Sequence, residues 1–299
     1  MISAELRDAI LAWYDATGRL LAFRSTRDPY AVLVSELMAQ QTQAARAAEA
    51  WTAWMGRFPT VDALAVAPLA DVLRAWAGLG YNRRAVYLHR AAQAIVERHR
   101  GRVPAEIAEL EALPGVGSYT ARAVAAIAFG IPVGAVDTNV RRVLGRIVAG
   151  GPEAMTAGEL QALADSAVPP DRAGDWTHAL MDVGARLCAP RRPKCADCPA
   201  VAWCRYAAGD RAAGEHASAT TRVAGTQRRQ PAFPETTRWL RGRIVARARE
   251  ATHGSWTRFD APIGSHGAHA VREAVTALST EGLLEVRDTP DGPEARLPG

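Results

Sequence analysis

Lysine is almost missing from this chain. Of 36 basic residues only Lys194 is a lysine, so the positive charge is carried by arginine. Chemistry that needs a free amine therefore has one candidate. Arginine grips phosphate through a planar, two-pronged contact, although the bias of a high-GC genome accounts for the same excess and agrees with the abundance of alanine. Cysteine is absent outside one short stretch, which holds Cys188, Cys195, Cys198 and Cys204. A disulfide framework is thereby excluded for the rest of the chain. In a reducing compartment, four thiolates in one loop fit a single four-ligand metal site. No run of 18 apolar residues occurs, so no membrane span is expected. The opening residues, MISAELRDAILAWYDATGR, form an amphipathic helix pattern without the layout of a signal peptide, and a cytoplasmic location is expected. Strand-like alternation is nearly absent up to residue 210, which predicts an all-α fold there.

What is present suffices for two domains in 299 residues, with a formal charge of +5 and a pI of about 9.3. That charge is a modest bias toward polyanionic partners. Apolar spacing predicts helices over 4–17, 45–56, 61–66, 69–77, 85–99, 105–112, 156–166 and 171–187. Asp28-Pro29 is a good entry to a further helix carrying VLVSELMA. Glu36, inside that apolar run, reads either as a partly exposed helical acid or as a buried one. Burial would raise its pKa and let it act as a general acid. Gly78 to Arg84, GLGYNRR, is a glycine turn with an aromatic, Tyr81, that fits either the core or a base stack. Residues 207–236 lack apolar periodicity and read as a linker. Residues 237–299 predict helices near 238–251 and 267–281, then a hairpin pairing Leu284 and Val286 with Ala295 and Leu297, a winged-helix-like pattern.

The segment Leu113–Arg142, LPGVGSYTARAVAAIAFGIPVGAVDTNVRR, combines Gly115 and Gly117 before a helix start with Asp137, Asn139 and two arginines downstream. A helix start of this kind can hold a phosphate. A glycine turn between two core helices, with Asp137 as a cap, fits equally well.

The spacing Cys188-x6-Cys195-x2-Cys198-x5-Cys204, the hairpin LPGVGSYTA and the segment VDTNVRRV together resemble the helix-hairpin-helix, iron–sulfur DNA glycosylases over roughly residues 5–207. Within that superfamily SELMAQQTQ (35–43) resembles the MutY-type adenine glycosylases. GYNRR, the hairpin and the short tail are most similar to actinobacterial members. The resemblance implies a six-helix barrel with helix-hairpin-helix over 25–131 and an iron–sulfur cluster domain from 1–24 and 132–207. A linker at 208–236 and a winged-helix-like C-terminal domain at 237–299 complete the expected order.

The function so implied is removal of adenine mispaired with 8-oxoguanine or guanine in double-stranded DNA, by a monomer. The cysteines would hold a [4Fe-4S] cluster, with zinc the alternative for four thiols. Glu36 is implied as the acid toward adenine N7 and Asp137 as the carboxylate facing the sugar, with Tyr119 and Asn139 orienting them. Tyr119 stands where strand-nicking relatives carry a lysine, so a monofunctional hydrolysis leaving an abasic site is expected. Gln40, Gln41, Thr42 and Tyr81 match residues at the disrupted base pair. Gly115, Gly117 and Ser118 match the phosphate-holding hairpin, and Arg191, Arg192 and Lys194 would add charge. Arg24, Ala39 and His178 map to the adenine pocket. There, Ala39 replaces a family leucine, Phe23 stands where a tryptophan is usual, and His178 fits packing as well as base contact. No counterpart of the larger Nudix-related domain that reads 8-oxoguanine in typical members is expected in residues 237–299, which lack a comparable set of strands. Two other readings stand beside this one: a glycosylase for another base such as hypoxanthine or a mismatched pyrimidine, and a non-catalytic DNA-binding iron–sulfur protein.

Overall fold

A computed structural model describes residues 2–212, 232–252, 254–290 and 292–299. The fold is mostly helical, and the chain divides into two units. The first holds Met1–Glu36, Pro104–Ala112 and Val116–Val223, and the second Leu37–Val103, Leu113–Gly115 and Ala224–Gly299.

In the first unit α1 (Ala4–Thr17) starts at Ser3, whose hydroxyl accepts from the Leu6 amide at 3.3 Å. Helix α2 (Pro29–Ala39) starts where Asp28 accepts from the Ala31 amide at 3.0 Å, and the division between units falls inside it after Glu36. The core joins Leu6, Ile10 and Leu11 of α1 to buried residues of later helices. Those helices are α9 (Thr138–Ala149), α10 (Ala157–Ala167) and α11 (Ala173–Asp182). Helix α10 opens with a capping box of Thr156 and Glu159. Helix α8 (Ser118–Phe129) follows the short α7 (Ile107–Glu111) as the second arm of the hairpin. The expected helix 171–187 is α11 continued by a wider turn over Val183–Leu187. Helix α12 (Arg205–Ala212) extends into the stretch read as linker, and residues 213–231 of that stretch lie outside the described residues.

The second unit contains α3 (Ala44–Arg57), α4 (Val61–Ala65), α5 (Leu69–Ala75) and α6 (Arg83–His99). Trp54 and Trp76, both fully buried, meet edge to face at 5.6 Å between ring centroids. The same unit holds the C-terminal module: α13 (Thr237–Glu250), β1 (Thr257–Arg258), α14 (Ala268–Thr280), β2 (Glu285–Thr289) and β3 (Gly292–Arg296). The sheet is antiparallel in the order β1-β3-β2, with Val286 opposite Ala295 as the sequence pattern required. Strand β1 escaped the sequence reading because two residues cannot show an alternation. The module is tied down at its end, where the Ala70 amide donates to the Pro298 carbonyl at 3.0 Å. Among the described residues no helix is long and apolar enough to cross a membrane.

Candidate active site

Helix α2 carries Glu36 into the interior of the first unit, where it is 8 % exposed. Burial raises its pKa to about 7. The nearby Asp137 charge pushes the same way, against a hydrogen bond from Tyr119 and the Arg24 charge. Tyr119 sits in the first turn of α8, one residue past Ser118, and burial beside Glu36 and Asp137 drives its phenol well above the ordinary value. Its hydroxyl also lies 3.8 Å from Met181 Sδ. Four sequence-selected residues, Glu36, Tyr119, Asp137 and Asn139, thus gather in one unit.

Asp137 caps α9, and its Oδ1 accepts from the Val140 amide at 2.7 Å. Oδ2 accepts from Asn139 Nδ2 at 2.9 Å. Asn139 is itself fixed, because Arg142 donates to its Oδ1 at 2.8 Å and also to the carbonyls of Gly184 and Cys188, at 2.8 and 2.6 Å. Gly184 is required there, since a Cβ would come within 2.6 Å of Asn139 Cβ. The cap reading and the functional reading of Asp137 are therefore compatible: the helix start that satisfies the carboxylate also aims it.

Arg24 and His178 adjoin a buried acid that sequence reasoning missed. Asp182, fully buried, accepts from Arg24 at 3.0 and 2.8 Å and from the Arg19 amide and Nε at 2.9 and 2.7 Å. Burial alone would raise its pKa, but the Arg24 and Arg19 hydrogen bonds and charges outweigh it and hold the carboxyl at about 2. Its signal in the sequence is a lone acid within the apolar face of α11. His178 is buried, and burial together with the Arg24 charge lowers its pKa to about 3, so the imidazole is neutral. It faces Tyr14 at 6.4 Å between centroids.

All four cysteines line one cavity with Val143, Ile147 and Leu187. Burial, with the neighbouring thiols adding to it, pushes the Cys198 thiol up to about 11. Arg146, another buried residue without a sequence signature, donates to Cys188 Sγ at 3.3 Å and to the Ala189 and Pro190 carbonyls at 2.8 and 2.9 Å. It stacks on Tyr206 at 4.5 Å. These bonds shape the loop on which Arg191, Arg192 and Lys194 are exposed. Among the described residues no three His, Cys, Asp or Glu side chains converge closely enough to clamp one metal ion.

Ala39, Gln40, Gln41, Thr42, Tyr81 and Gly115 belong to the second unit. Gln41 and Tyr81 both adopt left-handed backbone, with φ of 52° and 44°, which is costly for a side chain larger than glycine. Buried Arg84 stabilises both turns. It donates to the carbonyls of Leu37, Met38 and Gln40 on one side and of Leu79 and Gly80 on the other, and to Thr42 Oγ1 at 3.1 Å. Gly115 has a φ of 79°, and a Cβ there would meet Tyr87 Cβ at 2.6 Å. Gly117 precedes Ser118 at the start of α8, with open space around it.

Comparison with known proteins gives the family and the fold. Residues 34–170 match the HhH-GPD superfamily base excision DNA repair proteins. Adenine DNA glycosylase of Mycobacterium tuberculosis is 45% identical over 240 residues, covering 79% of this chain and 76% of that protein. The Mycolicibacterium smegmatis enzyme of the same name is 38% identical over 286 residues, covering 95% and 93%. A thermostable thymine-DNA glycosylase structure superposes with a TM-score of 0.64 and 31% identity, covering 68% of this chain and 95% of that one. An endonuclease III–DNA complex shares the fold at a TM-score of 0.58 and 24% identity, over 68% of this chain and 94% of that one. Identity and coverage at this level, over a shared fold, place the chain among the adenine DNA glycosylases of the HhH-GPD base excision repair superfamily, to which it belongs.

Proposed function

We propose that this chain removes adenine mispaired with 8-oxoguanine or guanine from duplex DNA by hydrolysing the N-glycosidic bond, acting as a monomer without cutting the strand. The observation that carries the reading is the pairing of unlike carboxyls. Glu36, buried and with a pKa of about 7, holds a proton near neutral pH and can deliver it to adenine N7. Asp137, aimed by Val140 and Asn139, presents a carboxylate to the sugar as positive charge develops there. Tyr119 orients Glu36 through its hydrogen bond. Arg24, held by Asp182, and neutral His178 border the pocket, where His178 can offer a hydrogen bond to the base edge without adding charge. Ala39 leaves that pocket roomier than a leucine would.

Gln40, Gln41, Thr42 and Tyr81 serve the step in which the base leaves the stack. An exposed aromatic there is worth about 1–3 kcal/mol of stacking. The hairpin amides of Gly115, Gly117 and Ser118 hold phosphate, and Arg191, Arg192 and Lys194 add charge. The cysteines fit a [4Fe-4S] cluster: all four line one cavity, and four thiols are the ligand set such a cluster takes. Cys188, Cys195, Cys198 and Cys204 would hold the cluster, which would supply a rigid anchor for the loop between Cys188 and Cys195. We assign it to the part formed by 1–24 and 132–207, with 25–131 as the barrel and 237–299 as the winged-helix-like module.

The test is purified protein with duplexes carrying adenine, hypoxanthine, thymine or uracil opposite 8-oxoguanine or guanine. Adenine should be lost, and strands should break only after hot alkali. Breakage without alkali would overturn the monofunctional reading, and retention of adenine in every duplex would overturn the substrate. The Asp137→Asn variant should bind the duplex as the parent does while its excision rate falls by about 10²–10³-fold. Loss of binding as well would mark Asp137 as structural.

A further inference from the structure

Among its described lining residues, the cysteine cavity of the first unit holds four thiols, two cations and no carboxylate. The cations are Arg146 and Lys194. Lys194 is exposed, so water screens its charge. Arg146 has no such relief. It stands in the last turn of α9 and is only 6 % exposed, and a guanidinium keeps its charge wherever it is placed.

Burying a charge is costly unless an opposite charge lies beside it. Among the described residues no carboxylate pairs with Arg146. Its guanidinium donates instead to the Cys188 sulfur and to the Ala189 and Pro190 carbonyls, and its face rests on the Tyr206 ring. The N–H on Nε is buried without a partner. The residue touches a second cysteine through its backbone, because the Cys204 thiol donates to the Arg146 carbonyl at 3.6 Å. A buried cation with a spare N–H, one of whose acceptors is a sulfur, calls for negative charge inside the cavity.

Resting on the reading that these cysteines hold a [4Fe-4S] cluster, we propose that Arg146 is the built-in counter-charge of that cluster, a positioning residue that grips the Cys188 sulfur and sets the cluster's reduction potential. Four thiolates around the doubly positive [4Fe-4S] core leave the whole group negative, and each added electron makes it more so. A fixed guanidinium on one sulfur favours the more negative state. It therefore raises the potential and opposes the loss of an electron. Tyr206 keeps the guanidinium flat against the loop, so the N–H toward Cys188 holds its direction.

The experiment uses the full chain purified without air, with iron, sulfide and zinc assayed per chain. The midpoint potential is read at an electrode for the parent, Arg146→Gln and Arg146→Lys, a transfer of one electron in which no bond forms or breaks. Glutamine keeps a donor but loses the charge, and lysine keeps the charge but loses the two-pronged fork. Arg146→Gln should lower the potential by at least a tenfold change in the one-electron equilibrium, about 59 mV, and Arg146→Lys should recover most of that. With ferricyanide as oxidant, iron should pass to a chelator about tenfold faster from Arg146→Gln than from the parent, in step with that shift. A potential in Arg146→Gln equal to the parent's overturns the proposal. So does an equal fall in both variants, which would place the effect in the shape of the loop. Where Arg146→Gln takes up no cluster on reconstitution with iron and sulfide, Arg146→Lys decides. Parental iron content in Arg146→Lys supports the need for charge, and equal failure of both overturns it. A parent that holds zinc in place of iron and sulfide would fail the cluster reading itself, whereas a full cluster with an unmoved potential would fail only the role of Arg146.

Discussion

Replacing Glu36 with glutamine is expected to slow adenine excision by about 10²–10⁴-fold, the usual contribution of a positioned general acid, and to make the protein more stable above neutral pH. Both effects have one cause. The carboxyl is nine-tenths buried, and its pKa rises from the ordinary 4.5 to about 7. Between those two values the folded protein holds a proton that the unfolded chain has released. Folding stability therefore falls as pH rises through that window, and the loss is complete above pH 7. The shift corresponds to an upper limit of about 3 kcal/mol. Glutamine keeps the shape and can still accept from Tyr119, but carries no charge to desolvate. Urea unfolding at about pH 5 and about pH 8 checks this: the parent should weaken between the two and Glu36→Gln should not. Equal pH dependence in the two proteins, or excision near the parental rate, would remove Glu36 from the acid role.

Loss of Asp182 should cost more stability than any other single change near the site. Its carboxylate is fully buried and accepts four N–H groups from Arg19 and Arg24. Substitution by alanine leaves Arg24, itself only 7 % exposed along its side chain, without its counter-charge. Breaking such a pair from one side costs about 3–5 kcal/mol. Because the carboxyl pKa is held near 2, this stabilisation is present above the ordinary value of 3.8 and fades as pH falls toward 2. Unfolding of Asp182→Ala at neutral pH measures the cost directly, and a loss below about 1 kcal/mol would show that the pair is replaceable. Excision should fall as well, because Arg24 faces Glu36 and His178 electrostatically and would lose its fixed position.

Much of this site could be read from sequence because its local parts carry strong signatures. Asp28-Pro29, Asp137 before an apolar helix and Gly115 in a tight turn each state their backbone role in one or two residues. The helix expectations for 4–17, 238–251 and 267–281 agree with α1, α13 and α14 to within a residue at each end. What stayed hidden is non-local. Asp182 finds Arg24 across 158 positions of chain, and no spacing rule links them. Arg84 spends its donors mainly on backbone carbonyls, which leave no trace in residue identity. Gln41 and Tyr81 take left-handed backbone without being glycine, a strain that becomes visible only once Arg84 is seen bracing both turns. Arg238 of α13 lies 4.0 Å over the Tyr81 ring, a contact that likewise depends on long-range fastening of the C-terminal module, by Arg249 to Asn82 and by Pro298 to Ala70.

The central claim is that a buried, protonated Glu36 drives adenine excision. The most direct measurement is the single-turnover rate of adenine release by the parent protein, from about pH 5.5 to about pH 9, on an adenine:8-oxoguanine duplex. With a pKa of about 7 for the acid, the rate should hold level or change little below neutrality and fall about tenfold per pH unit well above it. A rate that stays constant or rises across the alkaline range would contradict the account.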